Sequence, residues 1–212
     1  MGAGSRFDRE LGVQVDPDTG LLSPARQLES PNRDERPAGC APELVVVHGI
    51  SLPPGEFGGG WVDALFLNRL DPEAHPYFAE IFEARVSAHL LIERAGSVTQ
   101  YVSFNQRAWH AGVSTYFGRT ACNDFSIGIE LEGTDDMPYT DEQYETLTAV
   151  LAVLAVTYPA LAAVPIVGHR DIAPGRKTDP GGSFDWLRLD RCLAVATARK
   201  RSQILSDEAD LV

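Results

Sequence analysis

Two short apolar runs each end on a histidine, and few folds can accommodate both. They are Leu44-Val45-Val46-Val47-His48 and Pro165-Ile166-Val167-Gly168-His169. A continuous Val/Ile run reads as a strand buried on both faces. Sheet proteins favour the carboxyl ends of such strands for their sites. The second run leads straight into Arg170-Asp171-Ile172-Ala173-Pro174-Gly175-Arg176-Lys177-Thr178-Asp179-Pro180-Gly181, which sets the Asp179 carboxylate in a Gly/Pro-bounded loop. Two imidazoles and a carboxylate are a ligand set that a catalytic zinc ion with one open position takes. A lone histidine at a strand end is commonly a rim residue. The pair together with Asp179 is what points to a metal.

At 212 residues the chain can bury one full core, and it carries no internal repeat. Its net charge of -12 opposes nucleic acid or an anionic membrane surface as partner. Cys40, Cys122 and Cys192 are odd in number and widely spaced, as expected of free thiols in a reducing compartment. The first twenty residues hold no apolar signal-peptide core, and no stretch has the roughly twenty apolar residues of a membrane span. The expectation is a soluble, cytoplasmic monomer.

Residues 1–40 are rich in Arg, Asp, Pro and Ser and read as a partly irregular arm with a short element near Leu21-Leu22; the catalytic domain is expected over 41–200. After His48, residues 50–61 hold too much Gly and Pro for a helix and suit a pocket wall. Residues 74–84 look helical. Val86–Ile92 and Val98–Val102 flank Arg94-Ala95-Gly96-Ser97 as a hairpin. Asp124–Glu132 alternates, with Phe125, Ile127, Ile129 and Leu131 on a core face and Ser126, Gly128, Glu130 and Glu132 on a wet one. Thr140-Asp141-Glu142-Gln143 is a capping box that opens a helix ended by Pro159. A last helix is expected over roughly 186–199, with a frayed tail at 201–212. Strands mixed with helices imply one α/β domain with a central mixed sheet flanked by helices.

Other residues compete for the chemistry. His75 sits in a turn and reads as structural. His89, in the hairpin, is the rival third imidazole, and Asp171 competes with Asp179 but better suits capping the loop. His110, beside Trp109, either lines a sugar- or peptide-binding cleft or simply packs. Glu130 is a strand-face carboxylate or, with Gly128 clearing space beside it, a general base near the metal. Lys177, two residues before Asp179, is a solvated cation or a stabiliser of an oxyanion.

Four segments carry a resemblance: 46–58 (VVHGISLPPGEFG), 108–113 (AWHAGV), 123–135 (NDFSIGIELEGTD) and 168–181 (GHRDIAPGRKTDPG). Together they strongly resemble the cytosolic 1,6-anhydro-N-acetylmuramyl-L-alanine amidases. These are zinc amidases sharing a fold with peptidoglycan-recognition proteins and T7-type lysozyme. The resemblance covers about residues 40–190. It implies one zinc ion on His48, His169 and Asp179, Glu130 as general acid/base, and Lys177 on the tetrahedral intermediate. It further implies hydrolysis of the lactyl-L-alanine amide of anhydromuropeptides in cell-wall recycling, with Arg85 and Trp109 along the muropeptide groove. Gly49 stands where asparagine is usual, and Ala121 where an arginine can hold a peptide carboxylate. The rival readings are a peptidoglycan-binding module that has lost catalysis and a secreted autolysin.

Overall fold

A computed structural model describes residues 12–162 and 166–196. The valine run becomes strand β5 (Leu44–Ile50), in which Val46 and Val47 have no exposed surface. Earlier come β1 (Gln14–Asp16), β2 (Leu21–Ser23), β3 (Arg26–Gln27) and β4 (Arg33–Glu35); later come β6 (Leu90–Ile92), β7 (Val98–Gln100), β8 (Gln106–Ala108), β9 (Thr115–Tyr116), β10 (Arg119–Thr120), β11 (Ser126–Glu132) and β12 (Ile166–Gly168). The main sheet runs β12-β5-β11-β6-β7-β3, with β5 inside it. Its four strands β12, β5, β11 and β6 pair in parallel, while β6 and β7 form the antiparallel hairpin. The sheet is therefore mixed, as expected.

Pleat and register decide what each face carries. β11 pairs with β5 so that Glu130 lies opposite His48, and Ser126 opposite Leu44. Val45, Val47, Ile127, Ile129 and Leu131 share one face. They pack on Leu147, Val150, Leu151 and Leu154 of the long helix α3 (Asp141–Thr157), which follows the short helices α1 (Trp61–Phe66) and α2 (Phe78–Ile81). Each leucine so buried contributes about 1.5–3 kcal/mol. Thr140 caps α3 by the expected reciprocal box: Gln143 N–H donates to Thr140 Oγ1 (3.2 Å) and Thr140 N–H donates to Gln143 Oε1 (3.0 Å). The short helix α4 (His169–Ile172) follows β12, and a helix α5 spans 186–196.

The structure corrects several expectations. The helix expected over 74–84 is the single turn α2. Pro76 offers no N–H and pushes His75 out of helical geometry, and Tyr77 N–H donates to the His75 ring instead. The hairpin strands are shorter than expected. The face of β11 read as wet is covered: Ser126, Gly128 and Glu132 are buried and only Glu130 is partly exposed. Loops seal it, with His110 over Gly128 and Glu132 accepting from Gly58 N–H (2.6 Å) and Arg94 N–H (3.1 Å).

Residues 12–40 contribute the β1–β2 hairpin, the edge strand β3 on β7, and β4 paired with β8. Arg36 donates to the carbonyls of Phe104, Asp124 and Ser126 and ties this segment behind the sheet. The first eleven residues, the expected end of the last helix at 197–199, and the tail lie outside the described residues. No helix among the described residues is long and apolar enough to cross a membrane.

Candidate metal centre and active site

Parallel pairing of β12 with β5 sets Gly168 opposite Val47, so the next residues, His169 at the start of α4 and His48 within β5, lie side by side. Their Nδ1 atoms are 3.0 Å apart. Asp179 Oδ2 lies 3.2 Å from His48 Nδ1 and 3.1 Å from His169 Nδ1. The Asp179 loop is anchored by Arg170 N–H, which donates to the Asp179 carbonyl (3.0 Å). Asp171 accepts from Gly168 N–H (2.7 Å), so it caps α4 and does not compete as a ligand.

Hydrogen-bond accounting assigns every proton around these ligands. The Cys122 carbonyl only accepts, so it takes the Ser126 hydroxyl proton (2.6 Å). Ser126 Oγ must then accept from His110 Nε2–H (3.1 Å), and His110 Nδ1 must accept from His48 Nε2–H (2.9 Å). That leaves His48 Nδ1 bare. His169 Nε2–H donates to the Ala111 carbonyl (3.2 Å), which leaves its Nδ1 bare as well. Three acceptors with no proton between them converge on one point, an arrangement that could hold a metal ion. A tetrahedral ion with bonds of about 2.0–2.1 Å needs donor–donor edges of about 3.3 Å, close to the observed triangle.

Burial sets the electrostatics. It pulls His48 down to about 4, with the neighbouring His169 adding to the effect while Asp179 opposes it. His110 is held well below its ordinary value, first by burial and then by His48. Burial alone would raise Asp179, but the adjoining His169 and His48 outweigh it and keep the carboxyl below the usual range. Glu130 goes the other way: burial, then repulsion by Asp179, push it well up, and only Lys177 pulls it back. Glu130 Oε2 is buried without a hydrogen-bond partner, a carboxylate oxygen free to handle a proton.

These groups share one cleft of about 640 Å³, lined by His48, Glu130, His169, Lys177 and Asp179, with the Gly-rich 49–55 segment as a wall. His110 lines it too, but both its nitrogens face inward, and its ring fills the space above Gly128 that the sequence left for a water and substrate. Arg85 is exposed, its guanidinium on the Glu83 carbonyl (3.0 Å), while its neighbours Ala84 and Val86 line the cleft. Trp109 does not line it; its indole N–H donates to Asp34 (3.1 Å). His89 lies apart from the ligand triangle: its Nδ1 accepts from Gly128 N–H (3.0 Å) and its Nε2 faces the Gln106 carbonyl (3.1 Å). His75 stays in its turn, and Ala121 is exposed in a left-handed conformation (φ 58°).

Sequence reasoning missed Tyr77, Asp135 and Arg176 in the cleft. Arg176 braces the 111–113 loop by donating to the Ala111 carbonyl (2.6 Å) and the Val113 carbonyl (2.8 Å). Its place beside Lys177 was the available signal.

Residues 38–182 match the sequence model of the N-acetylmuramoyl-L-alanine amidases. The chain is 61% identical over 170 residues to the 1,6-anhydro-N-acetylmuramyl-L-alanine amidase AmpD of Escherichia coli K12, covering 80% of this chain and 92% of that one. It superposes on a crystal structure of an AmpD derivative with a TM-score of 0.81 at 59% identity, covering 84% of this chain and 98% of the other. A structure of AmpDh3 from Pseudomonas aeruginosa with anhydromuramic pentapeptide matches at a TM-score of 0.57 and 29% identity, covering 76% and 63%.

Proposed function

Since the chain belongs to the N-acetylmuramoyl-L-alanine amidase family, we propose how its own residues divide the work of that hydrolysis. The enzyme cleaves the amide between the lactyl group of anhydro-N-acetylmuramic acid and the L-alanine of the stem peptide, in peptidoglycan recycling. The observation that carries the residue assignment is the triangle of bare acceptors on His48, His169 and Asp179. These three hold one zinc ion, for which the nitrogen and oxygen donors and their spacing are suited. Zinc held there supplies Lewis-acid polarisation of the scissile carbonyl and of a water.

Glu130 takes a proton from the attacking water through its unpartnered oxygen and returns it to the departing alanine nitrogen. Its raised proton affinity suits both halves of that shuttle. The Lys177 cation, whose charge is felt at Glu130 and His48, sits beside the developing oxyanion. His110 keeps His48 in the tautomer that presents Nδ1. At the rim Arg85 meets a stem-peptide carboxylate. The setting is the cytoplasm and the working form a monomer.

The test is product analysis by mass spectrometry with soluble anhydromuropeptide and insoluble sacculi side by side. The expected products are anhydro-N-acetylmuramic acid and a peptide with a free L-alanine amino group, with sacculi left nearly intact. Retention of the muropeptide without cleavage would make this a binding module, and equal attack on sacculi would make it an autolysin.

A further inference from the structure

Gly49 directly follows the ligand His48, and its backbone is not in the left-handed region, so space and not conformation excludes a side chain. The obstruction is the Tyr139 hydroxyl, which occupies the place where a Cβ on Gly49 would stand. The edge of the same ring fills the place of a Cβ on Gly133, at the end of β11. Two glycines on neighbouring strand ends are thus cleared for one phenol, which is 4% exposed. The hydroxyl donates to the Pro180 carbonyl (3.0 Å). Pro180 follows Asp179 and has no N–H, so its carbonyl is the one polar backbone group by which that residue can be held. Arg170 N–H on the Asp179 carbonyl and Gly181 N–H on the Thr178 carbonyl (both 3.0 Å) hold the residues on either side. The tyrosine link ties the turn to the residue directly before the Thr140 cap of α3. The ring is locked in turn against Phe184, with centroids 5.3 Å apart.

We propose that Tyr139 is a positioning residue for the metal ligand Asp179, and that Gly49 serves the site by leaving the Tyr139 hydroxyl its place. This rests on the metal reading given above. A carboxylate on a surface loop must be ordered before it can bind an ion tightly, and partners one step behind a ligand commonly change metal affinity about 10- to 100-fold. Tyr139 touches neither metal nor substrate; it acts through Pro180.

The test is zinc affinity by competition with a chromophoric chelator, on the full chain, alongside the melting temperature of the metal-free form. Tyr139→Phe keeps the ring and is expected to weaken zinc about tenfold. Gly49→Ala pushes the hydroxyl off Pro180 and is expected to weaken zinc by a similar factor. In Gly49→Ala/Tyr139→Phe the nearest atoms left to the added methyl are Pro180 Cα at 3.4 Å and the ring carbon at 3.6 Å, both ordinary contacts. The double variant should therefore bind zinc as Tyr139→Phe does, with no further loss. A lower melting temperature with unchanged affinity in Tyr139→Phe would reduce the residue to core packing and overturn the proposal, as would full additivity of the two losses. Asp179→Asn separates the two ideas: if it binds zinc like the unaltered chain, the metal reading itself has failed.

Discussion

Stripping the metal and lowering the pH from 6.5 to 5 should cost this protein a large part of its stability. Burial takes His89 to about 3, helped by the Arg36 charge, and His48 to about 4, against an ordinary value of 6.5. A folded value below the unfolded one means that the unfolded chain takes up the proton first. The stability these imidazoles contribute is present above 6.5 and is lost as the pH falls toward 3–4. At about 1.4 kcal/mol per pH unit for each group, with the loss beginning gradually near 6.5, the step to pH 5 removes roughly 1.6 kcal/mol per imidazole and about 3 kcal/mol for the pair. His110 acts in the same sense; Glu130, raised in the fold, acts in the opposite one and offsets part of the loss. Domains are stable by only about 5–15 kcal/mol, so the change is large. Urea titrations at half-unit pH steps on chelated protein read it directly, since about 3 kcal/mol moves the midpoint by about 1 M or more. A midpoint that stays constant or rises between pH 6.5 and 5 would mean that these imidazoles are solvated or charged in the fold, and the proton assignment around His48 would fall with them.

Glu130→Gln and Lys177→Ala should each keep full zinc content while turnover falls about 100-fold or more. Because burial raises the Glu130 carboxyl, the acidic limb of kcat/KM should lie above the ordinary 4.5 and disappear in Glu130→Gln; a limb that survives the substitution removes Glu130 as the base. His110→Phe orphans His48 Nε2–H in a site where His48 is 1% exposed, and chelator competition should show zinc held about 10- to 100-fold more weakly. Unchanged affinity would deny His110 its role in fixing the tautomer. Arg85→Ala should raise KM for anhydromuropeptide by the loss of about 1.5–3 kcal/mol with kcat little changed; an unaltered KM excludes Arg85 from the groove.

What the sequence makes legible here is what local pattern dictates. The valine run, the alternation of 125–131 and the Thr140 box each point to one element, and each forms. His48, His169 and Asp179 were legible as candidates, but their meeting depends on the parallel pairing of β12 with β5, which no local pattern gives. Contacts made across the chain were not. Gly128 was read as room for a reactant, yet His110, eighteen residues earlier in sequence, turns inward to fill it. Gly49 looked like a departure from a familiar asparagine, and only the folded chain brings the Tyr139 hydroxyl to that spot. Arg36 carried no signal at all: a lone arginine in a polar arm reads as solvated until the carbonyls of Phe104, Asp124 and Ser126 are found around it.

The three bare acceptors on His48, His169 and Asp179 call for one zinc ion. The most direct measurement is to strip the protein with chelator, add zinc in steps, and follow both bound metal and release of the L-alanine-terminated peptide from anhydromuropeptide. Activity should rise linearly and saturate at one zinc per chain, and His169→Ala should neither hold the metal tightly nor recover turnover. Full activity in the stripped protein, or a fully active, fully loaded His169→Ala, would contradict it.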